Sequence, residues 1–306
     1  HRDLHSFPTR RSSDLTAEFE KFVDVTGETG LTNRIGTGSV AWVDYDGDGW
    51  PDIHSASKGI LLKNMGADNP TNVTFTKVAS FVNLAKGIWA DYDNDGDLDM
   101  FCHKQGAGYY YQNNQNDEFV LIPEAVPDLS GIGNSEAGAA GDLNNDGYTD
   151  IYLSGYEIFG EVIYKDVILM NVEDPQRPGE RKFVVWWTQP TATSSRGVTI
   201  CDYDNDNDLD IYVSNYRLQY NNLLQNQGNA IFVDVALTTD PAAKNTDPSW
   251  EASNPTYPGG HSIGACWADF NRDGLFDIFA GNFAHAGQPQ SRSEEHTSEL
   301  QSPNTI

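Results

Sequence analysis

Five stretches of the chain carry carboxylates or carboxamides at alternate positions: DYDGDGWPD at 44–52, DYDNDGDLD at 91–99, DLNNDGYTD at 142–150, DYDNDNDLD at 202–210 and DFNRDGLFD at 269–277. Positions 1, 3 and 5 are Asp or Asn throughout, position 6 is Gly except at Asn207, and position 9 is always Asp. Short carboxylates so spaced converge when the backbone coils tightly, and convergent oxygens are what a hard cation such as calcium requires, roughly six to eight of them. Position 6 must then take a positive φ, which Gly accepts freely and Asn tolerates. Position 7 lends only its carbonyl, so its side chain varies.

The expected ligands are Asp44, Asp46, Asp48, Trp50 and Asp52; Asp91, Asp93, Asp95, Asp97 and Asp99; Asp142, Asn144, Asp146, Tyr148 and Asp150; Asp202, Asp204, Asp206, Asp208 and Asp210; and Asp269, Asn271, Asp273, Leu275 and Asp277. Up to five Ca²⁺ ions are expected. The loops at Asp142 and Asp269 have Asn at position 3, and the latter also contains Arg272, so these two should bind most weakly. Without a cation, each close carboxylate pair costs about 1–4 kcal/mol, depending on the effective dielectric. An EF-hand would instead close with Glu at position 12 between helices. Here that position is Ser55, Cys102, Leu153, Val213 or Ala280.

The elements that must position these loops are short. Apolar runs precede them (GSVAWV, AKGIWA, EAGAAG, RGVTIC, IGACWA) and others follow (DIHSAS, DMFCHK, DIYLSGY, DIYVSNY, DIFAGNF). Bounded by turn residues and rich in β-branched and aromatic side chains, they read as strands flanking a tight loop. The loops recur at spacings of 47, 51, 60 and 67 residues, the range of propeller blades. LLKNMG at 61–66 and LLQNQG at 223–228, each followed by an aromatic run, raise the yield to about four strands per repeat. No long segment has the apolar spacing of an amphipathic helix. The connections at 171–182 and 238–260 are rich in Pro, Asn and Asp and read as surface insertions.

The chain has 306 residues and a formal charge of −26, and twenty of its 45 acidic residues lie in the five loops. Localised acidity excludes nucleic acid, whose phosphates need Lys and Arg. No apolar run is long enough to insert into a membrane. Cys102, Cys201 and Cys266 lack metal spacing and read as buried packing residues. Regular placement of Trp42, Trp89 and Trp267, two residues before their loops, favours blade packing over sugar stacking. Trp186 and Trp187, in the connection between the third and fourth units, have no such register and are the better ligand-contact candidates.

Residues 5–15 and 292–302 resemble in-frame translations of sequencing-library adaptors. On that resemblance, 1–15 and 292–306 are expected to be non-native and the chain an open fragment. The loops, in their G-x-x-x-x-W-x-D-x-D-x-D-G setting, resemble the FG-GAP/VCBS repeats of integrin-α-like β-propellers. The LLxNxG element resembles the subgroup found in bacterial surface proteins and in cartilage acidic protein. The resemblance spans 16–291. It implies an all-β fold, a propeller of four-stranded antiparallel blades, present as about five blades of a seven- or eight-bladed ring, with calcium loops gathered on one face. It also implies an extracellular, cell-surface or periplasmic location. The function expected first is a non-enzymatic calcium-binding adhesion or ligand-binding module for a protein or glycan. The alternative is the propeller scaffold of a carbohydrate-active enzyme such as a polysaccharide lyase, with His54, His103, Tyr156, Tyr216, Arg217 and His261 as the titratable candidates outside the loops.

Overall fold

The computed structural model describes residues 23–36, 38–66, 68–69, 73–82, 86–104, 106–133, 135–156, 163–236 and 260–283. The terminal segments read as adaptor-derived and nearly all of the 238–260 insertion lie outside these residues.

Among the described residues the fold is all-β. Four four-stranded antiparallel sheets follow one another along the chain, each a simple meander. The first contains β1 (Val40–Val43), β2 (Asp52–Ser55), β3 (Ile60–Asn64) and β4 (Phe75–Ser80); the second contains β5 (Lys86–Ala90), β6 (Asp99–Lys104), β7 (Ala107–Asn113) and β8 (Phe119–Leu121). The third runs β9 (Gly138–Gly141), β10 (Asp150–Leu153), β11 (Val167–Glu173) and β12 (Arg181–Thr188); the fourth runs β13 (Ser195–Cys201), β14 (Asp210–Asn215), β15 (Asn222–Asn226) and β16 (Phe232–Asp234). A pair, β17 (Ser262–Ala268) and β18 (Asp277–Asn282), begins a fifth. Strand number and order match propeller blades. Each acidic loop joins the first and second strands of its sheet, as its flanking apolar runs predict.

The connection at 171–182 is not an insertion. Asn171–Glu173 ends β11 and Arg181 opens β12, so the Pro-rich stretch is the tip of a hairpin, closed by Asp174 N–H to Glu180 O at 2.9 Å. The turn residues masked two strands that lengthen beyond their neighbours. Trp186 and Trp187 therefore lie on β12, not in a connection. Trp187 packs against the core beside Tyr152, while exposed Trp186 donates Nε1–H to Ala230 O at 3.2 Å.

The apolar cores lie between consecutive sheets. Val43, Tyr45 and Leu61 meet Met100, Cys102 and Tyr111; Tyr92 and Phe101 meet Ile151, Leu169 and Phe183; Tyr152, Ile168 and Met170 meet Ile211, Val213 and Leu224; Tyr212 and Leu223 meet Ile278. Strands β2, β10 and β14 are buried along their whole length because a neighbour covers each face. Trp89 and Trp267 are blade-packing residues, Trp89 among Phe81, His54 and Phe119, and Trp267 stacked on Tyr203. Trp42 is 65% exposed, touching Phe75 edge-on, since no described element covers its other side. Cys102 is buried, but Cys201 is half-buried and Cys266 exposed, so packing explains only the first.

The first strands of successive sheets, β5, β9, β13 and β17, are neighbours in space. Their small residues permit this. A Cβ on Gly197 would lie 2.6 Å from Gly264 Cα and 2.9 Å from Ile263 O, and one on Gly138 would lie 2.3 Å from Ile88 Cδ1. Backbone faces Gly197, so nothing there can rotate away. Gly197→Ala is expected to lower stability by about 1–3 kcal/mol, the cost of overpacking, read as a shift of the urea midpoint; an unchanged midpoint would show that β13 and β17 do not approach this closely.

Candidate functional site

The five acidic loops share one backbone-to-carboxylate scheme. Oδ2 of the first Asp accepts the amide N–H of position 6 at 2.8–3.0 Å in all five. Oδ1 of position 5 accepts the amide of position 7 at 2.8–3.0 Å. Position 6 is left-handed in each, with φ from 72° at Asn207 to 97° at Gly96, as the coiling requires. A second left-handed residue, not anticipated, stands at position 4: Gly47, Asn94, Asn145, Asn205 and Arg272, with φ of 59–67°. Gly and Asn are the residues that tolerate this region. Their recurrence was the available signal.

Position 9 is set apart. Asp52, Asp99, Asp150 and Asp210 are fully buried, and Asp277 nearly so. Oδ2 of each accepts the amide of position 2 at 2.9–3.3 Å. Oδ1 of the first four accepts the amide of an Asn on the third strand, Asn64, Asn113, Asn171 or Asn226, at 2.6–2.8 Å. Burial pushes Asp52, Asp99, Asp150 and Asp210 up to about 7, only partly offset by these hydrogen bonds. The Asn residues were missed as functional positions, although two are the N of LLKNMG and LLQNQG.

Three loops bring carboxylates together so that one oxygen from each residue lies within 4.8 Å of the others: Asp44, Asp46 and Asp48; Asp91, Asp93 and Asp99; Asp202, Asp204 and Asp206. All three have Asp at position 3. In the other two, the amide of Asn144 or Asn271 donates to position 5, Asp146 Oδ2 at 3.2 Å and Asp273 Oδ2 at 3.1 Å. The Asn thus spends a position-5 oxygen that a cation would use. Among the described residues, the buried carboxylate oxygens without a hydrogen bond, Asp44 Oδ1, Asp97 Oδ2 and Asp204 Oδ1, all lie in the loops that carry these groups. A divalent cation fits this donor set, since an unpaired buried carboxylate oxygen is costly until a donor or ion meets it.

The outer oxygen of position 3 is held from the third strand. Gln112 donates to Asp93 Oδ2, Gln225 Nε2 to Asp204 Oδ2 at 2.5 Å, and Lys63 Nζ to Asp46 Oδ2 at 2.5 Å. The loops also touch one another: Asn94 donates to Gly147 O at 2.8 Å, and Asn145 to Asp208 Oδ1 at 2.7 Å. The second, third and fourth loops therefore lie side by side at one end of the sheets.

The titratable candidates outside the loops separate. His54 is buried against Phe81 and Trp89, and burial lowers it to about 4; His103, also buried, falls to about 4 for the same reason. Both are core residues. Tyr156 and Tyr216 meet over the Arg196 guanidinium, with His261 beside Tyr216, at the end of the sheets away from the loops, and exposed Arg217 lies 6.0 Å from the centre of the Tyr216 ring.

Residues 91–153 match the FG-GAP-like repeat family. Cartilage acidic protein 1 of Xenopus tropicalis is 26% identical over 314 residues, and that of Mus musculus 28% over 326; each alignment covers 94% of this chain and 44% of the relative. The chain thus spans less than half the length of these relatives. Two solved structures are similar at lower levels. The V. cholerae biofilm matrix protein Bap1 has a TM-score of 0.36 and 14% identity, covering 62% of this chain and 27% of that one. A putative exo-beta-1,3-galactanase from Bifidobacterium bifidum s17 has a TM-score of 0.39 and 13% identity, covering 67% and 64%.

Two outcomes follow from this geometry. Lys63 occupies the oxygen that Gln112 and Gln225 hold with a neutral amide, so its charge competes with a divalent ion. Lys63→Gln should strengthen binding at the first loop several-fold, seen by calorimetric titration, and an unchanged or weakened isotherm would remove Lys63 from the site's electrostatics. Calcium takes ionised carboxylates, whereas the buried closing aspartates hold protons up to about pH 7. Affinity should fall as pH drops from 8 to 6, with protons released on binding. Titration in buffers of different ionisation enthalpy measures that release, and pH-independent affinity would place these groups outside the linkage.

Proposed function

The chain is an FG-GAP-like repeat protein and a distant homologue of cartilage acidic protein 1, and from that premise we propose that its sheets are blades of a calcium-stabilised β-propeller. The propeller works outside the cell as an adhesion or ligand-binding module for a protein or glycan. The observation that carries this reading is the recurrence of carboxylate groups converging in the loops at Asp44, Asp91 and Asp202, the first and last of which leave a ligand oxygen, Asp44 Oδ1 and Asp204 Oδ1, buried without a partner. When bound, calcium supplies the positive charge that the loops lack. The residues that would hold it are the Asp side chains at positions 1, 3 and 5, with the position 7 carbonyl and the closing Asp.

Several features support the reading. Each loop links the first two strands of its sheet, so an ion there ties them. Neighbouring loops share hydrogen bonds, so the order gained in one restrains the next. Extracellular calcium modules bind at about 10⁻⁴–10⁻³ M, which suits open loops on a protein surface.

Calcium at ten times its Kd should add about 1.4 kcal/mol for each site filled. Thermal melts with millimolar calcium and with chelator read this as a reversible rise in midpoint. Asp93→Asn together with Asp204→Asn should abolish most of the rise, whereas Asn144→Ala should leave it nearly intact. Melts that overlay with and without calcium would end the proposal.

A further inference from the structure

Between the third and fourth sheets, at the end away from the acidic loops, lies a carboxyl group with no cation beside it. Asp166, one residue before β11, is fully buried. Its Oδ1 accepts Gly155 N–H at 2.7 Å, and its Oδ2 accepts Tyr152 Oη–H at 2.6 Å. Oδ2 also lies 2.8 Å from Ser195 Oγ at the start of β13, a contact that crosses from one sheet to the next. Among the described residues no ion pair reaches Asp166. The charged groups around it are engaged elsewhere. Lys165 Nζ donates to Pro190 O at 2.8 Å, Arg196 faces the rings of Tyr156 and Tyr216, with His261 and Arg217 beside the latter, and Asp234 accepts from Asn222 Nδ2 and Leu223 N–H.

With Asp166 ionised, this cluster is one hydrogen short. Ser195 Oγ has three oxygen neighbours: Asp166 Oδ2 at 2.8 Å, Asn215 Oδ1 at 2.9 Å and Thr193 Oγ1 at 2.9 Å. The Asn215 amide cannot be turned round. Its Nδ2 already donates to Tyr220 O at 2.6 Å and Asn222 Oδ1 at 2.7 Å, and a backbone carbonyl has no hydrogen to give in return. Asn215 Oδ1 is therefore an acceptor, as an ionised Asp166 would be, and the Ser195 hydroxyl owns a single hydrogen. Given to either, it leaves the other facing a bare oxygen within 2.9 Å. Thr193 has its own hydrogen for Ser195 but lies along neither contact. One proton on Asp166 completes the set: Asp166 and Thr193 donate to Ser195, and Ser195 donates to Asn215. Burial points the same way, raising this carboxyl to about 6 even with Ser195 donating to it. With that hydrogen committed to Asn215, the proton is held more tightly still.

We propose that folded Asp166 keeps a proton up to near neutral pH, and that this proton, shared with Ser195 and through it with Asn215, is a pH-sensitive latch between the third and fourth sheets. The latch goes beyond the calcium reading and does not rest on it. A carboxyl raised above its ordinary 3.8 contributes stability that is complete below that value and is lost as pH rises through about 6. The two ends of the sheets thus answer pH in opposite senses, since acid releases calcium from the loops but completes the latch. The test compares urea unfolding of the full chain in chelator, from pH 4.5 to 8, with that of Asp166→Asn, whose amide offers Ser195 a hydrogen and does not titrate. Between pH 4.5 and 6 the folding constant of the wild type should fall relative to the variant by up to about tenfold per pH unit, the limit for one proton. The closing aspartates of the loops are common to both and cancel. A ratio that stays flat across the range, or that moves in the wild type's favour as pH rises, would overturn the proposal. Should Asp166→Asn not fold, ¹³C NMR of the aspartate-labelled wild type decides. A Cγ resonance that titrates near or above pH 6 and is displaced by Ser195→Ala upholds the latch, and the lack of one sinks it.

Discussion

The structure depends on a carboxylate that water does not reach. The closing aspartates of the first four loops are fully buried, and each is tolerable there because two backbone amides point at it, joined at Asp99 by Tyr110 Oη–H at 2.9 Å. One amide comes from the second residue of the loop, the other from an Asn on the third strand. One side chain thereby fixes how the loop leaves the first strand, where the second strand begins, and where the third strand passes. Replacing it with an apolar residue would leave two amides unsatisfied, at about 1–3 kcal/mol each.

The same Asn carries the order from sheet to sheet. Asn113 Nδ2 donates to Tyr45 O at 3.1 Å, Asn171 to Tyr92 O at 2.7 Å and Asn226 to Leu143 O at 2.9 Å, each carbonyl lying in the loop of the preceding sheet. The other amide hydrogen bonds the carbonyl before the residue's own closing Asp, as Asn226 does to Leu209 O at 3.2 Å. Between them the two residues form a polar rivet at one end of the sheets. At the inner strands the opposite means serves: glycines remove side chains so that backbones meet. Between these constraints the apolar clusters fill the space, which is why successive sheets keep one arrangement even though the spacing of the repeats grows along the chain.

Much of this was legible in the sequence, and the reasons are local. The first and second strands could be found because each flanks a loop whose nine-residue pattern is nearly invariant, and the left-handed turn at position 6 because Gly holds it four times in five. The third strand announced itself only in LLKNMG and LLQNQG. The hairpin at 171–182 was lost because Pro175, Pro178 and Gly179 mark its tip and hide the ladder on either side. The role of Asn171 was lost for a different reason. It bonds Tyr92 across 79 positions, and no periodicity within one repeat encodes a contact to the repeat before. Position 9 reads in the sequence as the carboxylate that closes the loop, but spacing cannot show that its oxygens are enclosed by backbone amides.

The loops solve one electrostatic problem in graded ways, and the grading follows from single residues. With Asp at position 3 and Gln on the third strand, as at Asp93 with Gln112 and Asp204 with Gln225, a dipole orients the carboxylate without cancelling its charge, and three acids remain close together. With Lys63 in that place a full charge does the neutralising internally. With Asn144 or Asn271 at position 3, one acid is gone and its amide pairs with another. Lys63 brings a single charge and the Asn amides none, so neither arrangement restores what a divalent ion would provide. They reduce the repulsion that makes such an ion worth binding. The second and fourth loops, having the most unrelieved charge, are therefore the ones whose local order a bound cation would change most. The third loop between them is tied to both neighbours by Asn94 and Asn145, so it would share in that change.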